Sequence, residues 1–192
     1  MAQASTLHDA FLDELRDIYH AEKQITKALP KMVKAATDTT LAQAFADHLL
    51  ETEGQLARIE QTFDVLGETV KAKTCEGMKG ILEEGNAIIQ EEFDECAMDA
   101  SLIAAAQRVE HYEIAAYGSL VAWARSMKHD EAADLLQLNL DEEKAADEKL
   151  TALAEGGINQ SAAEQAHGEP ALEADDSAAS SRSKRPARRS ER

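Results

Sequence analysis

Six acidic residues occupy positions where a helical protein normally carries apolar side chains. They fall near the middle of four amphipathic stretches, in which hydrophobic residues recur at spacings of three and four on either side. A buried carboxylate without a partner is costly, and several that face one another cost more. We therefore expect cations between them. The candidate metal ligands are Glu22, Glu51, Glu110, Glu113, Glu143 and Asp147.

The spacing of these carboxylates favours a site that holds more than one ion. Residues three or four apart share a helical face, so Glu110 with Glu113, and Glu143 with Asp147, can each chelate or bridge. One such pair alone is more typical of a solvated face, but here carboxylates interrupt all four stripes. Hard oxygen donors suit iron, manganese, magnesium or calcium, and an imidazole would favour a transition metal. The pattern predicts two metal ions per chain.

Four further side chains lie on or beside these faces. His48 is either a nitrogen ligand, a hydrogen-bond donor to a ligand, or a histidine at the core boundary without a metal role. Gln55 carries a neutral amide, a weak ligand, and is expected to orient a carboxylate. His111 lies one residue off its stripe and is expected beside a ligand or on the surface. Tyr19, one turn before Glu22, is either a donor to a carboxylate, an electron relay or an ordinary tyrosine at the core edge.

The elements that must position these residues are four long helices. The pattern predicts an all-α four-helix bundle in which the second and third long helices run parallel, because a long crossover joins them. Thr40 and Gln43 form a capping box that would start the second helix. The predicted helices are Thr6–Ala36, Thr40 to Gly67, Asp99–Met127 and Asp130 to Gly156-Gly157, with a short helix inside the crossover at 68–97.

A weak internal repeat supports a two-fold plan for the bundle. RDIYHAE, which ends at Glu22, aligns with QRVEHYE, which ends at Glu113. On the other two helices, Glu51 and Gln55 align with Glu143 and Asp147. Two helical hairpins related by pseudo-symmetry would bring all four carboxylate-bearing faces together.

The end of the chain differs from the bundle in composition. We place the bundle at 1–159 and predict a disordered tail at 160–192, first acidic and then basic (SRSKRPARRSER). Five arginines and a lysine in this last segment favour phosphate, so one alternative is a helical interaction module whose tail contacts nucleic acid or an acidic partner. An unpatterned charge run is nevertheless more typical of a solubilising tail.

Composition excludes several classes of function. The net charge of −17 argues against a DNA-binding body and against docking on anionic membranes. No stretch approaches the roughly 20 apolar residues of a membrane span, and no secretory signal is visible at the N-terminus. Cys75 and Cys96 do not make a disulfide framework, and we expect two reduced thiols in a cytoplasmic protein.

Four segments together resemble the YciF/YciE-type stress proteins of bacteria, which belong to the ferritin-like, rubrerythrin-related superfamily. The resemblance covers about residues 6–158, and its segments are LHDAFLDELRDIYHAEKQITKALPKM, HLLETEGQLARIEQTF, SLIAAAQRVEHYEIAAYGSL and LNLDEEKAADEKLTALA. It implies a ferritin-like four-helix bundle, often dimeric, with a di-metal site. Carried over, Glu22 is the ligand of the first helix, Glu51 the bridge of the second, Glu110 and Glu113 the pair of the third, and Glu143 the ligand of the fourth.

The chain departs from the ferritin-like pattern at two positions. Helices two and four of that pattern carry Glu-x-x-His, but Gly54 follows Glu51 and Ala146 follows Glu143 at that spacing. The resulting site is rich in carboxylates and poor in nitrogen. The expected function is a stress-related di-iron centre, with manganese as the alternative metal, that reduces O2 or H2O2 by two electrons in a homodimer. The alternative is a structural metal site or a metal-free bundle.

Overall fold

The computed structural model describes residues 5–168, and these residues form helices connected by short turns and one crossover, with no strand among them. Thr6 caps the first helix through a reciprocal capping box with Asp9. The elements are α1 (Leu7–Ala35), α2 (Thr39–Val65), α3 (Glu76–Ile89), α4 (Glu95–Ser126), α5 (Asp130–Leu153), a π-helical turn (Ala154–Ile158) and α6 (Asn159–His167).

The four long helices close into a bundle in the order α1, α2, α5, α4, with α4 again beside α1. The rings of Phe11 and His129 lie 6.4 Å apart at one end, and the backbone N–H of Thr37 donates to Asp99 at the other end. These contacts make α1 antiparallel to α4. Since α2 reverses direction after α1, it runs parallel to α4, and the long crossover between them is a geometric necessity. The predicted four-helix bundle is confirmed.

The crossover is fixed against the bundle at Cys75. Its buried thiol caps α3 by accepting from the backbone N–H of Met78 at 3.3 Å. The backbone N–H of Cys75 donates to Nδ1 of His20 at 3.1 Å, and Gln24 donates to the Cys75 carbonyl. The short helix predicted inside the crossover is confirmed as α3, which packs on α1 and α4. The His20 side chain therefore holds the crossover against α1.

Three predicted boundaries are corrected by the structure. Asp38, and not Thr40, caps α2, because its carboxylate accepts from two backbone N–H groups of the first turn. The third long helix begins at Glu95, four residues before Asp99, since Asp94 provides its cap. The fourth long helix ends close to the predicted glycines, at a kink where Gly157 has a φ of 143°. A further helix, α6, then runs to His167, so the first part of the predicted disordered tail is helical. The rest of that tail, 169–192, lies outside the described residues.

The core consists of apolar layers above and below a polar layer at mid-bundle. Both cysteines are free thiols, as predicted. No described helix is long and apolar enough to cross a membrane.

Candidate metal centre

All four long helices contribute polar side chains to the buried layer at mid-bundle. Five of these residues carry groups that bind metals, and none of them is more than 6% exposed. Their positions follow from the helical period, because each replaces an apolar residue on a face that already points inward. They are Glu22 on α1, His48 on α2, Glu110 and Glu113 on α4, and Glu143 on α5.

These five residues form two groups of three that share one member. One group comprises His48, Glu110 and Glu143, and the other comprises Glu22, Glu113 and Glu143. Within each group the ligand atoms lie within 4.8 Å of one another. Glu143 belongs to both, so its carboxylate stands where a bridge between two cations would stand. The structure thus brings together four of the six carboxylates predicted from the sequence.

Glu51 lies outside both groups, although the sequence places it among the ligands. Its side chain is half exposed, and its Oε2 lies 3.2 Å from Nδ1 of His48. The other ring nitrogen, Nε2, faces Glu110 at 3.5 Å and Glu143 at 3.8 Å. When Nδ1–H donates to Glu51, the lone pair of Nε2 is directed toward the two buried carboxylates. This carboxylate–histidine pair is how proteins commonly orient a histidine ligand.

Three other candidates lie at the edge of the site or away from it. Asp147 is partly buried and accepts from Gln107, 3.1 Å away. His111 is mostly exposed, with Nε2 3.4 Å from Asp147. Tyr19 donates to Glu60 on the outer side of α2, 2.7 Å away, and does not reach Glu22. Its pKa rises to about 12 because of burial and this hydrogen bond.

Gln55 lies inside the polar layer, beside Glu143. It is fully buried, and neither its amide oxygen nor its amide nitrogen has a hydrogen-bond partner among the described residues. Its amide opposes part of the rise in the pKa of the Glu143 carboxyl, which burial causes. This placement agrees with the expected role of orienting a carboxylate.

Sequence reasoning missed a chain of hydrogen bonds that ends on Glu22. The hydroxyl of Tyr117 donates to Glu22 Oε1 and accepts from the Asn139 amide at 3.0 Å. The oxygen of the same Asn139 amide accepts from Arg58, which also pairs with Glu142 at the surface. Tyr117 follows Glu113 by four residues and therefore lies on the same helical face, and this spacing is the signal that could have identified it.

Burial and mutual repulsion disfavour ionisation of the clustered carboxyls. Burial raises the pKa of Glu22, Glu110 and Glu113 well above the ordinary value of 4.5, and the nearby charge of Glu143 adds to each rise. Burial also raises the pKa of Glu143 itself. The Tyr117 hydroxyl opposes part of the rise in the pKa of Glu22. A cation between these groups would reverse the balance, since it stabilises the charged form.

Unpaired polar atoms provide the test of whether a metal fits. Folded proteins leave few buried polar atoms without a partner, yet seven such atoms in the described chain belong to the five residues of the two groups. They are Glu22 Oε2, His48 Nε2, Glu110 Oε2, both oxygens of Glu113 and both oxygens of Glu143. Oxygen donors with one imidazole match the preference of iron or manganese. The residues therefore fit a pair of divalent cations.

Comparison with known proteins places the chain in a family. Residues 6–163 match a family described as a domain of unknown function, DUF892. Protein YciF of Escherichia coli (strain K12) is 46% identical over 158 residues, which cover 82% of this chain and 95% of YciF.

Solved structures give the same result. The crystal structure of the E. coli stress protein YciF matches with a TM-score of 0.79 and 45% identity, and the match covers 82% of this chain and 99% of that one. The protein YcfI from Rhodopseudomonas palustris matches with a TM-score of 0.75 and 46% identity, over 77% of this chain and 94% of that one. A protein from Xanthomonas campestris, at 20% identity and a TM-score of 0.63 over 84% of this chain and 97% of that one, shares the fold. The chain belongs to the DUF892 family, and it is a relative of the YciF stress protein over most of its length.

Proposed function

We propose that the protein holds two metal ions between α1, α2, α4 and α5, and that the loaded centre reduces O2 or H2O2 by two electrons in a stress response. Iron is the proposed metal, and manganese is the alternative. The observation that supports this most is the sharing of Glu143 between two groups of three ligand residues, whose donor atoms lie within 4.8 Å of one another in each group. Four ionised glutamates would balance the charge of two dications.

The proposed reaction needs two electrons and two protons. When bound as ferrous ions, the proposed metals would supply these two electrons, one from each iron. O2 with two protons then gives H2O2, or H2O2 with two protons gives two waters. The protein's part is to hold both ions within the buried polar layer and to keep the ligand side chains fixed around them.

Each residue of the site has a role that follows from its contacts. Glu143 belongs to both groups, and neither of its oxygens has a hydrogen-bond partner among the described residues, so it would contact both ions. Glu51 accepts from Nδ1 of His48 and so fixes the direction of Nε2. Tyr117 donates to one oxygen of Glu22, which leaves the other oxygen, Oε2, for a cation. Glu22 and Glu143 are 0% exposed, so bulk water is excluded around them.

The proposal is tested by metal content and redox titration. Protein purified without chelator is analysed for metal, then stripped, loaded anaerobically with Fe(II), and exposed to O2 or H2O2. We expect two irons per chain, oxidant consumption of one molecule per two irons, and near-ultraviolet ferric absorption. Glu143→Gln should abolish the absorption. Glu148→Gln, an exposed glutamate on the same helix, is the matched control and should keep it.

Two outcomes would contradict the proposal in different ways. A stripped chain that binds no Fe(II), Mn(II) or Co(II) would contradict the metal centre. Two ions bound without oxidant consumption would contradict the redox role alone and would favour the structural metal site, for which the single imidazole among five donors is the supporting observation.

A further inference from the structure

A cavity between α2 and α5 leads from the surface to only one of the two groups of ligand residues. It has a volume of about 120 Å³, and His48 and Glu110 line its inner end. Small side chains form part of its walls, with Ala44 and Ala146 buried and Ala145 exposed at the rim. A space of this size holds several water molecules. It therefore has room for a cation that still carries part of its hydration shell.

The other group has no such opening on this side. Glu22 and Glu113 are 0% and 1% exposed and do not line the cavity. A cation that enters here meets His48 and Glu110 first, and Glu143, the residue common to both groups, connects this position with Glu22 and Glu113.

Charged side chains stand at the mouth of the cavity. Glu51 lines it and is half exposed. Lys149 lines it as well, with its Nζ 3.5 Å from Asp47. At the inner end, Nε2 of His48 is buried without a hydrogen-bond partner among the described residues. An anionic residue at the mouth and a free nitrogen donor at the bottom form a path for a divalent cation.

We infer that this cavity is the entry path for divalent cations, that Glu51 attracts and transiently binds the ion at the mouth, and that Lys149 opposes its entry. The inference rests on the proposed metal centre and adds the route and the order of loading. The position with His48 and Glu110 fills first and exchanges fast. The position with Glu22 and Glu113 fills second and exchanges slowly.

The test measures the rate of Co(II) uptake by the metal-free full chain, by stopped-flow absorption of the bound ion. Ala146→Leu places a larger side chain inside the cavity, and Ala145→Leu places one at its rim. Because Ala145 is exposed, its substitution should not disturb the packing of the bundle. Both should slow uptake, Ala146→Leu on the order of tenfold because close-packed side chains leave no free path. The final Co(II) content should equal that of the wild type. Ala152→Leu, exposed on the same helix, is the matched control and should bind at the wild-type rate.

Charge variants give a second and independent readout of opposite sign. Glu51→Gln keeps an acceptor for His48 but removes the charge, and it should slow uptake on the order of tenfold at low salt. Lys149→Gln should speed uptake. Both effects should shrink as salt is added, since screening acts over about 8 Å at physiological ionic strength. Glu76→Gln and Lys79→Gln, an exposed pair on α3, change the net charge equally and should leave the rate unchanged.

The outcomes distinguish failure of the proposed entry path from failure of the proposed metal centre. If the wild type binds Co(II) but Ala145→Leu and Ala146→Leu bind it as fast as Ala152→Leu, the entry path is overturned and the metal centre stands. Equal rates in Glu51→Gln and Lys149→Gln would overturn the roles assigned to these two residues. A wild type that takes up no Co(II) would overturn the proposed metal centre and the path together.

Discussion

Nδ1 of His48 lies 3.2 Å from the Glu51 carboxylate, and this contact turns the opposite ring nitrogen toward Glu110 and Glu143. The relationship supports the proposal that Glu51 orients a ligand, in place of the bridge that the family resemblance implies. It also explains how a half-exposed glutamate can act on a buried site: the imidazole spans the distance between the surface and the polar layer.

Glu51→Ala should weaken metal binding, whereas Glu51→Gln should weaken it less. Loss of a residue that orients a histidine ligand typically costs about 10–100-fold in affinity, while glutamine retains an oxygen that accepts from Nδ1–H. Both variants should still bind two ions per chain at saturation. Equilibrium titration with Mn(II) or Co(II) measures this. A drop to one ion per chain in both variants would restore Glu51 as a direct ligand.

Glu113→Ala should leave one metal position intact, and Glu143→Ala should damage both. Glu113 belongs to one group of ligand residues, while Glu143 belongs to both. We expect one tightly bound ion per chain in the first variant and no tightly bound ion in the second. Metal analysis after gel filtration gives the counts, with Glu148→Ala as a control that keeps two. Equal losses from Glu113→Ala and Glu143→Ala would mean that Glu143 is not shared.

The metal-free protein should lose stability as pH rises above 4.5. The pKa values of Glu22, Glu110 and Glu113 are raised in the folded state, mainly by burial. A group whose folded pKa is raised contributes stability that is complete below its unfolded pKa and is lost as pH rises through the folded value. Urea unfolding of chelator-treated protein at several pH values tests the sign.

Two comparisons isolate the carboxylate cluster in this experiment. Glu113→Gln removes one of the titrating groups, so its metal-free stability should fall less with pH than that of the wild type. Saturation with metal should reverse the slope, because a cation favours the ionised form. A metal-free wild type that becomes more stable from pH 5 to pH 8 would contradict the prediction.

Tyr117→Phe should destabilise the protein more than Tyr19→Phe. Removal of the Tyr117 hydroxyl leaves a buried oxygen of Glu22 without its donor and deprives the Asn139 amide of an acceptor. Such losses cost about 1–3 kcal/mol each in a buried site. The Tyr19 hydroxyl donates to Glu60, which is exposed, so water can replace this donor in Tyr19→Phe. Urea unfolding of the two variants at one pH measures the loss of stability in each. Equal losses in Tyr117→Phe and Tyr19→Phe would argue against the hydrogen-bond chain.

Asp38→Ala should cost about 1 kcal/mol, the usual loss for an N-cap, whereas Thr40→Ala should cost little. The Asp38 carboxylate accepts from the backbone N–H groups of Thr40 and Leu41 at 2.8 and 2.9 Å. The Thr40 side chain makes no cap in the structure. The midpoint of thermal unfolding measures the loss of stability in both variants. A larger loss in Thr40→Ala would show that Thr40 caps the helix, as the sequence predicted.

Much of this protein could be predicted from local pattern. The period of the apolar stripes gave the long helices, and the interruptions at Glu22, Glu110, Glu113 and Glu143 gave the polar layer, because a helical face fixes which side chains point inward. The short helix of the crossover followed from its own sequence. The predicted homodimer and the identity of the metal stay predictions, and the last part of the tail lies outside the described residues.

What only the tertiary structure decided is which side chains meet across helices. Sequence spacing puts Glu51 and His48 on nearly one face, but the lateral position of α2 against α5 buries the imidazole and leaves the carboxylate at the surface. The same packing brings Tyr117 to Glu22 and turns Tyr19 away from it. A helical period sets direction around one axis to within a fraction of a turn, while contact between two helices depends on their relative rotation and height, which no single segment encodes.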